Sequence, residues 1–163
     1  PLIVYNVPGR TGVSCTPEHY ARLAEIPRIN GVKEASGDIS LVSRTRHLCG
    51  DALNIWSGND DQTLPMLALG AKGVISVASN IVPQVMATLC AAALSGDFFT
   101  ARAIHEAYAG LFDALFYEVN PIPVKTAMQM LGWDSGRLRL PLCPMAEGNA
   151  AKLQNCLESL QLL

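Results

Sequence analysis

Along the first hundred residues, short apolar and β-branched runs alternate with longer stretches of helical periodicity. Residues 2–7 read as a buried strand that Pro8 stops, and residues 31–35, 53–57 and 73–77 read as three more. Between them the pattern predicts helices. One opens with Thr16 as N-cap and Pro17 at its first position, and carries Tyr20, Leu23 and Ala24 on one face. A second covers residues 41–48 and stops at Gly50, a third covers 64–69 and stops at Gly70, and a fourth covers 82–94. Strand starts recur every 20 to 30 residues or so, roughly the length of one βα unit. Short apolar strands alternating with helices imply a parallel sheet under helical cover.

After Gly96 the pattern changes. Residues 97–116 form one amphipathic helical stretch, with Ala101, Ile104, Ala107, Tyr108, Leu111 and Leu115 at helical spacing. Pro121-Ile122-Pro123 breaks it, residues 124–131 make another helix closed by Gly132, and a crossing through Pro141 and Pro144 leads to a last helix over 145–160. The fold class is therefore α/β: four βα units over residues 1–95, then a three-helix extension over 96–163. Four βα units are half of an eight-stranded barrel, or a small open sheet. Neither G-x-G-x-x-G nor G-x-x-x-x-G-K-[ST] occurs, so the nucleotide signatures of many open sheets are missing.

Composition narrows the functional classes. Half of the 163 residues are hydrophobic and the formal net charge is −2, which suits a chain with a real core and argues against disorder. Nucleic-acid binding through a clustered basic face is not expected, nor is a membrane span or a secretory leader. Cys15, Cys49, Cys90, Cys143 and Cys156 are an odd, scattered set with no C-x-x-C pair. They read as small core residues in a reducing cytoplasm. The opening, Pro1 running straight into a strand, reads like a sequence cut inside a domain.

Three side chains could carry chemistry. Lys33 lies inside a strand, where an ammonium must find a partner or lose its proton, and a neutral amine attacks carbonyls. It could equally be a strand-end lysine reaching solvent, or pair with Glu34, although alternation sends the two to opposite faces. Tyr5 ends the first strand and Arg10 follows it, so in a parallel barrel both share a rim with Lys33. A buried tyrosine can relay protons, and an arginine fork can hold a carboxylate. His19, His47 and His105 fit no metal-ligand spacing. Asn59-Asp60-Asp61 reads as a helix cap rather than a cation site, and Trp56 and Trp133 as core or interface residues.

Taken together, the motifs resemble one family. Tyr5-Asn6-Val7-Pro8-Gly9-Arg10-Thr11-Gly12 is similar to the Y-N-x-P-x-R-T-G signature of dihydrodipicolinate synthases, and Gly31-Val32-Lys33-Glu34-Ala35-Ser36-Gly37 to their Schiff-base segment. Ser57-Gly58-Asn59-Asp60, the stretch from Gly73 to Asn80, Asn120-Pro121-Ile122-Pro123-Val124-Lys125 and Leu138-Arg139-Leu140-Pro141 follow in family order. The resemblance implies a TIM (β/α)8 barrel of which these residues are the last four units. It also implies a Lys33 imine with pyruvate, Tyr5 shuttling protons, and Arg10 holding the carboxylate of aspartate semialdehyde. Gly58 and Ile75 would border the pyruvate pocket.

No metal or organic cofactor is implied, because the imine is the electron sink. The implied product is 4-hydroxytetrahydrodipicolinate, in cytoplasmic lysine and diaminopimelate biosynthesis, and the implied assembly is a homotetramer. The family's chain is nearly twice as long. Its first half supplies the other four strands, the paired threonines, a tyrosine from across the dimer interface and most of any allosteric lysine site, so residues 1–163 alone are expected to be inactive. Two alternatives stand beside this reading: a sister aldolase acting on sialic acid or keto-deoxy sugar acids, from which Arg10 distinguishes it, and a non-catalytic half-barrel.

Overall fold

A computed structural model describes residues 1–163. Three parallel strands, β1 (Leu2–Asn6), β2 (Ile29–Glu34) and β3 (Asn54–Ser57), form one sheet in chain order. Eight helices accompany them: α1 (Pro8–Thr11), α2 (Pro17–Ala24), α3 (Ile39–Cys49), α4 (Thr63–Ala68), α5 (Pro83–Leu94), α6 (Phe98–Ala114), α7 (Ile122–Met130) and α8 (Glu147–Ser159). The α/β class and the alternation of strand and helix agree with the sequence pattern. No helix is long and apolar enough to cross a membrane.

Local chemistry explains most boundaries. Thr16 caps α2 by accepting from the His19 N–H, while His19 Nδ1 accepts from the Thr16 N–H, a capping box with histidine in the usual Glu position. Asp38 caps α3 and Asp97 caps α6 in the same way. The prolines expected only to break the chain at 121–123 instead start α7: Pro123 sits in its first turn, where a missing N–H is not needed. Helix α8 starts two residues later than expected. There the Glu118 carboxylate, 28 residues upstream of Ala146, accepts from the Ala146 N–H and from Asn149 Nδ2, both at 2.9 Å, at the positive end of the helix.

The expected fourth strand is the main correction. Residues 72–75 do run parallel to β3, with Lys72 N–H to Ile55 O at 2.8 Å, Ser57 N–H to Gly73 O at 2.9 Å and Ile75 N–H to Ser57 O at 2.8 Å. The ladder then ends. Asp60, 1% exposed, takes the next two N–H groups on one oxygen, Val77 at 3.1 Å and Ala78 at 2.8 Å, and turns the chain into a 3₁₀ turn over Ala78–Asn80. Asp60 was expected to cap the helix it precedes, but it caps this later turn instead. An apolar run of this length reads as a strand, and a carboxylate 17 residues away decides otherwise.

Two main cores result. Tyr20, Val32, Leu41, Val42, Leu53, Ile55 and Met66 pack α2, α3 and α4 on one face of the sheet. Met86, Leu111, Phe112, Leu115, Leu153 and Leu157 pack α5, α6 and α8 together. The other sheet face is open: Ile3, Tyr5 and Ile75 are 48%, 46% and 39% exposed.

Replacing Asp60 with Ala removes the acceptor of two backbone donors, one of them buried. Urea denaturation should show about 2–3 kcal/mol lost, and an unchanged midpoint would refute the capping role.

Candidate active site

The sheet register assembles the site. Tyr5 pairs with Lys33 and Lys33 with Trp56 across the three strands, so all three project from the open face. One residue further, Asn6, Glu34 and Ser57 form the next row and point to the helices. The row after that returns to the open face with Ala35, Gly58 and Ile75, as the pairing of Ser57 with Val74 requires. Lys33, Tyr5, Gly58 and Ile75 thus share one surface at the C-terminal ends of parallel strands.

The lysine is half-buried and its Nζ lies 4.3 Å from the centroid of the Tyr5 ring. Lys33 does not pair with Glu34, and its ammonium rests on an aromatic face rather than extending freely into water. Tyr5, expected to be buried, is 46% exposed, because the face it stands on carries no cover within these residues.

Gly58 has a steric role. A Cβ there would stand 2.6 Å from the Ala35 Cβ, 3.1 Å from the Glu34 carbonyl oxygen and 3.1 Å from Lys33 Cε. The Gly58 N–H meanwhile donates to that carbonyl at 2.7 Å. Only a residue without a side chain lets β3 come this close to the lysine stem.

Arg10 stands apart from this group. Pro8 at the first position and Gly12 in the left-handed conformation, φ 68°, make the short helix α1 out of what reads as a loop. From it the exposed guanidinium donates to the backbone carbonyl of Asn120 at 3.2 Å, across 110 residues of sequence. One contact leaves most of its five donors free. Asn120 was placed in the helical extension by its motif; its link to the rim has no signature in the sequence.

Behind the site lies a polar network that sequence reasoning missed. Glu34 is 3% exposed and Asn6 2%, on the face that helices cover. Asn6 Nδ2 lies 3.0 Å from each Glu34 oxygen, the Ser36 N–H donates to Oε1 at 2.7 Å, and the Tyr20 hydroxyl donates to Oε2. Asn6 Oδ1 in turn accepts from the Cys15 N–H at 3.2 Å. Burial, then the bond to Glu34, raises the Tyr20 pKa far above the ordinary phenol range, so Tyr20 remains a donor. Asn6 and Glu34 each occupy a strand position where the pattern reads apolar, which was the available signal.

Two further lysines are engaged elsewhere or exposed. Lys125 pairs with Asp134 at 3.1 Å, and the Gly136 N–H and Lys125 together hold the Asp134 carboxyl below its usual range. Lys72 is on the surface. His19 serves the α2 cap, and His105 packs against Phe112 with centroids 5.7 Å apart.

Comparison with known proteins gives a consistent result. Residues 1–160 match the model of the dihydrodipicolinate synthetase family. The chain is 50% identical over 163 residues to the 4-hydroxy-tetrahydrodipicolinate synthase of Geobacter sulfurreducens and 51% identical to that of Thermodesulfovibrio yellowstonii, covering all of this chain and 56% of each relative. The solved dihydrodipicolinate synthase of Aquifex aeolicus superposes with a TM-score of 0.97 at 45% identity, over 99% of this chain and 56% of that one. A chloride-inhibited dihydrodipicolinate synthase from Acinetobacter baumannii, solved with pyruvate, superposes with a TM-score of 0.97 at 40% identity, over 100% and 56%. The chain spans about half the length of the curated relatives it matches.

The glycine at 58 gives the sharpest test of this geometry. Gly58→Ala must push Ala35 aside and crowd Lys33 and the Glu34 carbonyl, which should lower stability by about 1–3 kcal/mol and slow chemical labelling of Lys33 by a small electrophile. Unchanged stability and labelling would show that the close approach is not needed.

Proposed function

Because the chain belongs to the dihydrodipicolinate synthetase family, we propose that these residues are the imine-forming part of a 4-hydroxy-tetrahydrodipicolinate synthase acting on pyruvate and L-aspartate 4-semialdehyde. The observation that carries the proposal is the Lys33 amine held 4.3 Å above the Tyr5 ring, with the neighbouring carboxylate turned away. With no carboxylate bound to it, the amine is left free to meet an incoming carbonyl carbon, as an imine-forming nucleophile must.

The reaction then follows from the groups present. Lys33 Nζ adds to the ketone carbon of pyruvate, and the carbinolamine loses water to give a protonated imine. That positive charge accepts the electron pair left when a methyl proton departs, and the enamine results. The enamine carbon bonds to the aldehyde carbon of the second substrate, whose oxygen takes up a proton. Attack by the substrate's own amine on the imine carbon closes the ring and releases Lys33. Tyr5, whose ring lies beside Nζ, would move protons in these steps. Gly58 and Ile75 would border the pyruvate carbon skeleton, and Arg10, with donors to spare, would take the carboxylate of the aldehyde substrate. That arginine is the reason to favour aspartate semialdehyde over a sugar acid.

The same proposal extends to architecture. The three strands and residues 72–75 are read as four consecutive staves of a (β/α)8 barrel, with residues 96–163 as a helical extension. Two open sheet edges and an uncovered apolar face fit a sheet that four further strands complete. Residues 1–163 alone are read as inactive, and the whole protein as a cytoplasmic homotetramer.

Pyruvate followed by borohydride should leave a reduced adduct on Lys33 of the whole protein, identified by peptide mass mapping; an adduct on Lys72 or Lys125 would overturn the assignment. In Arg10→Ala the adduct should still form, while kcat/KM for aspartate semialdehyde falls by an amount equivalent to about 1.5–3 kcal/mol. Equal loss in both half-reactions would remove Arg10 from the role given to it.

A further inference from the structure

We propose that Glu34, with Asn6 and Tyr20, is the positioning element of the imine site. The proposal rests on the reading of Lys33 as the imine-forming residue and adds residues that touch no reacting atom. A carboxylate buried in a sheet face is costly, and an apolar residue of similar volume would serve stability at least as well. Its presence there points to what it holds in place.

Glu34 holds the site from three directions. The pair Asn6 and Glu34 follows the pair Tyr5 and Lys33 immediately along both strands, so the 3.0 Å contacts between their side chains fix the register that sets the tyrosine over the amine. The Glu34 main-chain oxygen takes the Gly58 N–H, and its Oε1 takes the Ser36 N–H. Those two bonds set the passage between Ala35 and Gly58 in which the Lys33 stem lies. Tyr20, buried in α2, anchors Oε2 to the helix layer. Every partner is neutral: Asn6 from β1, Tyr20 from α2 and the Ser36 backbone.

The amide–acid pair permits a swap experiment on the full-length protein. Glu34→Gln turns an amide toward the donors of Asn6, Tyr20 and Ser36. Borohydride trapping at saturating pyruvate should show imine formation slowed about tenfold or more, with half-saturating pyruvate moving less than about threefold. Asn6→Asp alone sets two carboxylates in contact and should be at least as slow. The double variant Asn6→Asp/Glu34→Gln restores an acid–amide pair and should return to within about threefold of the parent rate. Tyr20→Phe is the milder change and should slow imine formation about two- to fivefold, which keeps the test open if Glu34→Gln does not fold.

Urea midpoints measured alongside separate positioning from folding. A parent rate in folded Glu34→Gln, or in Tyr20→Phe, overturns the proposal, as does a swap that recovers the midpoint without the rate. Acetic anhydride labelling of Lys33, read by peptide mass, needs no pyruvate. Slower labelling in the variants supports positioning even if the parent never traps pyruvate, a result that would sink the imine reading alone. Labelling at the parent rate in every variant sinks the positioning role.

Discussion

A carboxylate taken out of water is costly unless donors meet it, and Glu34, with a donor on each oxygen, ties the first part of this chain together. Its donors come from β1, from α2 and from the turn just beyond β2. None can move without exposing a buried lone pair, so strand register, helix seat and turn are set together. Hydrophobic burial acts on the same register: a one-residue slip would turn Val32 and Ile55 to the open face, and the amide bonded to both oxygens of one carboxylate adds a directional constraint to it.

The two faces of β2 consequently do different work. Val32 and Glu34 face the helices and hold the sheet, while Gly31, Lys33 and Ala35 face the open side and carry little that would stabilise it. Strand alternation makes this division possible at adjacent positions. It also explains why the Lys33 amine can stay half-exposed in a stretch whose neighbours are buried. The glycines repeat the logic: at Gly31 a Cβ would meet the Asn54 carbonyl and the Trp56 ring, and at Gly58 the lysine stem. Side chains are omitted there so that Trp56 and Lys33 have room to lie against the sheet.

Sequence pattern resolved what depends on near neighbours. The three paired strands, the Thr16 and Pro17 start of α2, the Gly50 stop and the long helix from Asp97 follow from local propensity and capping, and all were legible. Lys33, Tyr5 and Arg10 stood out as residue types placed at strand ends. Contacts between distant residues were not legible. Asp60 ends the run after Ile75 by claiming two N–H groups from a later turn, and Glu118 sets where α8 begins. Nothing near Val77 or Ala146 announces either event. The Asn6–Glu34 pair lies between these cases. Both residues were quoted within motifs, yet their contact depends on a register that pattern alone does not fix.

The helical extension bears on the site as well as on stability. Its linker, residues 115–121, packs Leu115 into the second core, caps α8 through Glu118 and offers the Asn120 carbonyl to Arg10. An arginine on a four-residue helix has little to orient it: α1 contains no buried residue and ends at a glycine. The carbonyl that steadies it comes from a segment tied down at α8, so the aim of Arg10 depends on helices that follow it by more than a hundred residues. Lys33 and Tyr5 are fixed by the sheet and Arg10 by the extension. The amine and the proposed carboxylate clamp are therefore supported by different cores, and a change in either core would disturb one without necessarily moving the other.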